Sequence, residues 1–280
     1  MLSLNENLSC HEDLWVAPAD SWASRDAILT QQLQPVTWEM VRLLGIAMDQ
    51  RHLDVAAGTG EPGLTIAQQA PDGRVVLTDP VDERLDIALD RADELDVPNV
   101  GSRICSAELL PFQDAGFDSV SVRFGYPSFT DPHRATAEFA RVLRPGGRVC
   151  AAVWSDPADN PWMTIVNDAI IRHLGTLPVE PSTPDIFRCA APGRIGALFE
   201  AAGFADVCER EVPVELVVPT PADYWDLMSD WAPSAAVVMR TVDLVTLDRI
   251  RSTVIAEAEQ HLRGGMVRLP GVARCIAGTR

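Results

Sequence analysis

Residues 53–67 read LDVAAGTGEPGLTIA. A short apolar run stops at a loop where Gly58, Gly60 and Gly63 keep the spacing G-x-G-x-x-G, and a helical pattern resumes at once. No other stretch constrains the fold as much. A tight turn with outward backbone N–H groups follows the first strand of nucleotide-binding α/β sheets, and glycine permits both features. The flanking rhythm agrees. The segments RHLDVAA, RVVLTD, VGSRICS, FDSVSVRF and RVCAAVW read as strands. EPGLTIAQQA, VDERLDIALDRADEL and DPHRATAEFARVL read as the helices between them, the last with Asp131 as cap and Pro132 in its first turn. RPGG reads as a turn into the fifth strand. The expected fold is α/β: Rossmann-like, doubly wound around a mostly parallel seven-stranded sheet, its strands apolar on both faces, with amino-terminal helices and a helical lid.

Three regions follow. Residues 1–48 form an amino-terminal helical cap, broken at Pro35, and residues 49–155 form the cofactor-binding α/β core. Residues 156–280 supply lid helices and the carboxy-terminal strands that complete the sheet. There, helices are expected near 161–174, over GRIGALFEAAGF to a stop at Gly203, near 221–232 and near 242–263. Strands are expected at VCEREVPVELVV and MVRLPGVARCIAGTR.

Charge narrows the partners. The net charge is −17, and all 23 basic residues are arginine. A surface this acidic repels phosphate backbones, so no nucleic-acid substrate is expected. No apolar run approaches the length of a membrane span, and the amino terminus has no charged-then-apolar leader, so the expectation is a cytoplasmic protein with no membrane partner. The six cysteines form no C-x-x-C pair and no histidine stands at ligand spacing from one, so no metal site is expected.

Glycine spacing, with Asp79 about twenty residues on, suits NAD as well as other nucleosides. Asp54 argues otherwise. It lies inside the first strand, where a buried acid disfavours an anionic pyrophosphate and suits a cofactor carrying an ammonium group. The segments LDVAAGTGEPGLTIA, VVLTDPVDERLDIA, AELLPFQDAGFDSVSVRFG and RVLRPGGRVCAAVW stand in an order and spacing that resemble class I S-adenosylmethionine (SAM)-dependent methyltransferases. The branch resembled holds the ubiquinone/menaquinone-biosynthesis methyltransferases and many small-molecule methyltransferases of bacterial secondary metabolism. AAGFADVCEREVPVE and VRLPGVARCIAGT look like that family's last strands.

The resemblance implies SAM as cofactor and assigns residues to it. Ala56, Gly58 and Gly60 would line its methionine and ribose portion, with Asp54 near its amino group. Asp79 would accept from the ribose hydroxyls and Pro80 would pack by the adenine. Ser106, Ala107 and Glu108 would reach the adenine edge, Arg123 and Phe124 would flank the cofactor, and Trp22 would cover it. Ser106 departs from the acid common in the family, and Ala56 from a common glycine. Each residue also has a plainer reading: Asp79-Pro80 as a strand-ending turn, Glu108 as a solvated loop acid, Trp22 and Trp38 as core aromatics. DERLDIALDRADE is expected to be a solvated face.

Methyl transfer from a sulfonium needs an in-line nucleophile and a dry site, and an oxygen nucleophile also needs a base. His133 and Tyr126, both just after the fourth strand, are the candidates. His52 stands at the wrong end of the sheet, His173 and His261 fall on lid helices, and His11 could approach from the amino-terminal helices. The expected reaction moves a methyl group to oxygen or carbon of a small hydrophobic metabolite such as a polyketide. A tryptophan-rich lid (Trp154, Trp162, Trp225, Trp231) motivates that substrate class. Two alternatives remain open here: a SAM-binding cyclase or rearrangement catalyst, and an NAD-dependent oxidoreductase. A homodimer is also left open.

Overall fold

The computed structural model describes residues 30–178 and 184–280. Trp22 and His11, and the rest of the expected cap before residue 30, lie outside the described residues. The chain divides into two compact units. One comprises residues 34–155, 185–212 and 273–280; the other comprises 1–33, 156–184 and 213–272.

The first unit carries the sheet. Its elements are α1 (Gln34–Leu44), β1 (Arg51–Val55), α2 (Gly63–Gln69), β2 (Arg74–Asp79), α3 (Asp82–Glu94), β3 (Val100–Ile104), β4 (Phe117–Arg123), α4 (Pro132–Val142), β5 (Leu143–Trp154) and α6 (Arg194–Ala201). Two long strands, β6 (Ala205–Val218) and β8 (Met266–Thr279), contribute residues to both units. The strand order is β3-β2-β1-β4-β5-β8-β6. The pairs among β1 to β5 are parallel, and β5 with β8 is antiparallel. The order reverses between β1 and β4, so the loops after these two neighbours lead to opposite sides and leave a crevice at their carboxyl ends.

One face of the sheet packs as expected, with Leu53, Val55, Val120, Val122, Val149, Ala151 and Val153 buried in one cluster with Phe139 and Phe199. The other face corrects the expectation of wholly apolar strands. His52 and Asp54 on β1, beside Ser119 and Ser121 on β4, form a buried polar stripe in which all four residues are 0% exposed. RPGG is not a free turn. It lies within β5, at a register irregularity opposite Phe117–Ser119, with Gly146 at φ +78°. Pro35 sits in the first turn of α1, where a missing N–H costs nothing. That helix groups with the sheet, and Thr37 Oγ1 accepts a hydrogen bond from Arg123 at 3.2 Å.

The second unit is largely helical: α5 (Pro161–Leu174), α7 (Pro221–Trp231), α8 (Pro233–Thr241) and α9 (Leu244–Glu259), with the short strand β7 (Leu262–Arg263) paired to β8. Helix α9 packs on α5 and α7. Thr220 caps α7, and Asp243 caps α9 by accepting from Val245 N and Thr246 N, both at 3.0 Å. Asn160 clasps the unit, its Oδ1 accepting from Trp162 Nε1 at 3.0 Å and from Val272 N at 3.1 Å. Two expectations change here. The last helix ends at Glu259 rather than near 263, because residues 262–267 turn back as a hairpin, and α8 is an extra helix. Trp162 and Trp225 are buried as core residues of this unit rather than presented as a lid surface, and Trp154 ends β5 in the sheet unit.

Candidate functional site

The loop between β1 and α2 is held open by backbone geometry. Ala56, Gly58 and Gly60 have φ of +54°, +54° and +109°. At +109° only glycine is unstrained. Ala57 N–H donates to Thr78 O at 2.9 Å, tying the loop to β2. Gly63 has a different task. A Cβ there would lie 2.3 Å from Leu77 Cδ2 and 2.9 Å from Asp54 Oδ2, so the third glycine lets α2 lie directly on the sheet. Arg91 on α3 donates to Thr59 O at 2.8 Å and braces the loop from outside. The loops after β1 and β4 meet, since a Cβ on Gly125 would stand 2.7 Å from that of Ala56.

Asp79 ends β2 and is 2% exposed. Its Oδ2 accepts from Gly58 N at 3.0 Å and its Oδ1 from Val81 N at 3.1 Å. Burial raises its pKa, opposed by the nearby Arg84 guanidinium and by the two amides. Arg84 and Arg91 therefore correct the expectation that α3 presents a wholly solvated charged face. Both guanidinium groups turn to the site's supporting shell, where Arg84 is desolvated beside Asp79. Pro80 is exposed next to Asp79.

The segment after β3 is braced differently from what its residue types suggest. Ser106 Oγ and the Glu108 carboxylate are hydrogen-bonded to each other. Glu108 Oε1 also accepts from Thr130 N at 2.9 Å and Asp131 N at 3.3 Å, stapling this loop to the turn before α4. Glu108 is thus not a free solvated acid, although its Oε2 retains acceptor capacity, and Ala107 is buried in the core. Arg123 ends β4. Phe124 follows at φ +61°, a strained conformation for a bulky residue, with its ring stacked on Trp154 at 4.4 Å and 11°.

Asp54 lies beneath the loop. Its carboxylate is fully enclosed, Oδ2 accepting from Gly63 N at 2.9 Å and Oδ1 from Ser121 Oγ. Burial raises its pKa to about 7, opposed by Ser121, Gly63 and the charge of Arg123. His52 is an interior residue of β1. Its Nδ1 lies 2.6 Å from Ser119 Oγ and its Nε2 lies 2.8 Å from Ser121 Oγ. Burial pushes its pKa down to about 3, so the ring is neutral. Sequence reading passed over His52, Ser121 and Arg91. The i, i+2 spacing of His52 with Asp54, and of Ser119 with Ser121, was the available signal for one polar face.

The two candidates for proton transfer stand in opposite surroundings. Tyr126 is 0% exposed, its hydroxyl paired with Thr136 Oγ1 at 2.9 Å and its ring packed on Phe129 and Phe139. Burial pushes its pKa further up. His133 is exposed in the first turn of α4. His173 bonds Thr253 Oγ1 at 2.7 Å within the helical unit. Among the described residues no group of three metal-ligating side chains comes together, and no helix is long and apolar enough to cross a membrane.

The loop fits a nucleoside. Each Asp79 oxygen has one backbone donor and retains acceptor capacity for a hydroxyl. At Gly58 no described residue stands within 4 Å of where a Cβ would point. Comparison with known proteins narrows the ligand. Residues 31–171 match the ubiE/COQ5 methyltransferase family. A ubiquinone/menaquinone biosynthesis C-methyltransferase of Methylobacterium nodulans is 34% identical over 171 residues, covering 57% of this chain and 68% of that protein. Its counterpart in Bordetella avium is 43% identical over 180 residues, covering 56% and 69%. The YcgJ protein of Bacillus subtilis has the same fold, with a TM-score of 0.57 at 20% identity over 87% of this chain and 97% of that one.

Proposed function

This chain belongs to the ubiE/COQ5 methyltransferase family and is a SAM-dependent methyltransferase; we propose that it methylates a carbon atom of a small, hydrophobic, electron-rich ring of the quinol type. The observation that carries this reading is the similarity, at 34% and 43% identity, to two proteins named as quinone-biosynthesis C-methyltransferases. A ring carbon activated by its own hydroxyl groups attacks without a base removing a proton first, which agrees with a buried Tyr126 and an exposed His133. A polyketide or other natural-product ring with the same electron-rich carbon belongs to the same chemical class.

In this reading Ala56, Gly58 and Gly60 cradle the cofactor's methionine and ribose portion. Asp79 accepts from the ribose hydroxyls and Pro80 covers the adenine. Ala107 and the Ser106–Glu108 pair hold the loop at the adenine edge, and Arg123 and Phe124 flank the site. Bound there, SAM supplies an electrophilic methyl group on a sulfonium. The protein's share of the work is to bind, orient and keep the site dry. The test is transfer of label from methyl-labelled SAM to a panel of substituted quinols, phenols and catechols. Label on ring carbon supports the proposal. Label only on oxygen, or cofactor binding with no transfer to any ring, overturns it.

A further inference from the structure

We propose that His52, with Ser119 and Ser121, is a positioning residue for cofactor capture: the hydrogen-bond chain it forms lets Asp54 give up a proton when a cationic ligand binds, while the glycine loop and the start of α2 stay in place. The proposal rests on the reading that SAM occupies the loop after β1.

The chain is continuous and buried: Ser119 Oγ, His52 Nδ1 and Nε2, Ser121 Oγ, Asp54 Oδ1, and then Asp54 Oδ2 to Gly63 N. It satisfies either charge on Asp54. When the carboxyl is neutral, its O–H donates to Ser121 Oγ, Ser121 donates to His52 Nε2, and His52 Nδ1–H donates to Ser119. When it is charged, Ser119 donates to Nδ1, Nε2–H donates to Ser121, and Ser121 donates to Asp54. Every link reverses and no heavy atom moves. The imidazole changes tautomer and remains neutral throughout. One proton is lost between the two states. The reversal passes it out at the Ser119 end, away from the glycine loop, to solvent.

The charged groups that bear on Asp54 are Arg123 on β4 and Glu61 in the loop, of opposite sign. Glu61 is itself buried and accepts from Thr65 Oγ1 at 2.8 Å. Among the described residues Asp54 therefore makes no ion pair that holds it charged, and a ligand's positive charge above the loop shifts it. Its resting pKa of about 7 places that exchange in the neutral range.

The experiment is calorimetric titration with S-adenosylhomocysteine, whose ammonium group is positive, from pH 6 to 8 in buffers of different protonation enthalpy. The wild type is expected to release about one proton per ligand at pH 6 and almost none at pH 8, with affinity rising about tenfold over that range. Asp54→Asn should bind with neither effect, which separates Asp54 from the ligand's own titration. His52→Phe leaves the buried Ser121 O–H without an acceptor in the neutral state, whereas in the charged state that hydroxyl still donates to Asp54, so the midpoint should fall by about one pH unit. Ser121→Ala removes a donor to the charged state, so its midpoint should rise, and it serves if His52→Phe does not fold. Ligand binding without proton release, or midpoints unmoved in both variants, overturns the proposal and leaves the cofactor site standing. No binding at any pH overturns the cofactor site itself.

Discussion

At the scale of single residues, the site separates into groups whose position along the chain reveals their role and groups whose surroundings do. Asp79 belongs to the first kind. It ends a strand one crossover after the glycine loop, and the structure sets its carboxylate against Gly58 N. Asp79→Ala should weaken SAM binding by about 1–3 kcal/mol, readable by equilibrium titration; unchanged affinity would remove Asp79 from the site. Tyr126 belongs to the second kind. Its nearness to the end of β4 suggests a substrate contact, yet its side chain enters the aromatic core, and no single sequence carries that direction. Tyr126→Phe should lower stability by about 1 kcal/mol through loss of the Thr136 bond, with turnover unchanged. A large fall in turnover would restore it as a catalytic residue. Gly63→Ala is the sharper packing test. With Leu77 Cδ2 only 2.3 Å from the added carbon, it should cost about 1–3 kcal/mol in chemical denaturation, whereas an exposed helix position would tolerate alanine.

At the scale of elements, the alternation of strands and helices was legible because buried parallel strands and amphipathic helices have different periods. The register between strands was not. Only the pairing of His52 with Ser119 and of Asp54 with Ser121 turns four scattered polar residues into one stripe. Helix α8 escaped for a similar reason, since nine residues beginning at Pro233 read as a connection between its neighbours. The stripe has a consequence for stability. His52 has a lowered folded pKa, so its contribution is present above about 6.5 and is lost as pH falls toward 3. Asp54 has a raised one, so its contribution is present below about 4 and is lost as pH rises through about 7. The two slopes oppose each other between pH 4 and 7, each worth about 2 kcal/mol at pH 5. Asp54→Asn leaves the His52 slope uncompensated. Its stability relative to wild type should fall by about 2 kcal/mol between pH 7.5 and 5 in urea titrations. A difference that does not change with pH would show that Asp54 is already ionised in the folded protein.

At the scale of the whole molecule, the family match spans residues 31–171 and ends inside α5, so it covers most of the sheet and little of the helical unit. The glycine loop and the end of β2 were readable as structure because they lie in that portion, where a tight turn limits the residue types. The helical unit was read only as helices, because hydrophobic periodicity shows which face is buried and not what the face meets. The charge of −17 acts on the whole chain. Screening of that self-repulsion should raise the melting temperature as salt increases from low ionic strength to about 0.5 M. A fall over the same range would mean that local ion pairs outweigh the net charge. The central claim is that the loop after β1 binds SAM. It is tested most directly by titrating purified protein with SAM, S-adenosylhomocysteine and NAD, beside Asp79→Ala. Both sulfur-containing ligands should bind, more weakly in the variant, and NAD should not. Binding of NAD alone, or equal SAM affinity in wild type and Asp79→Ala, would contradict it.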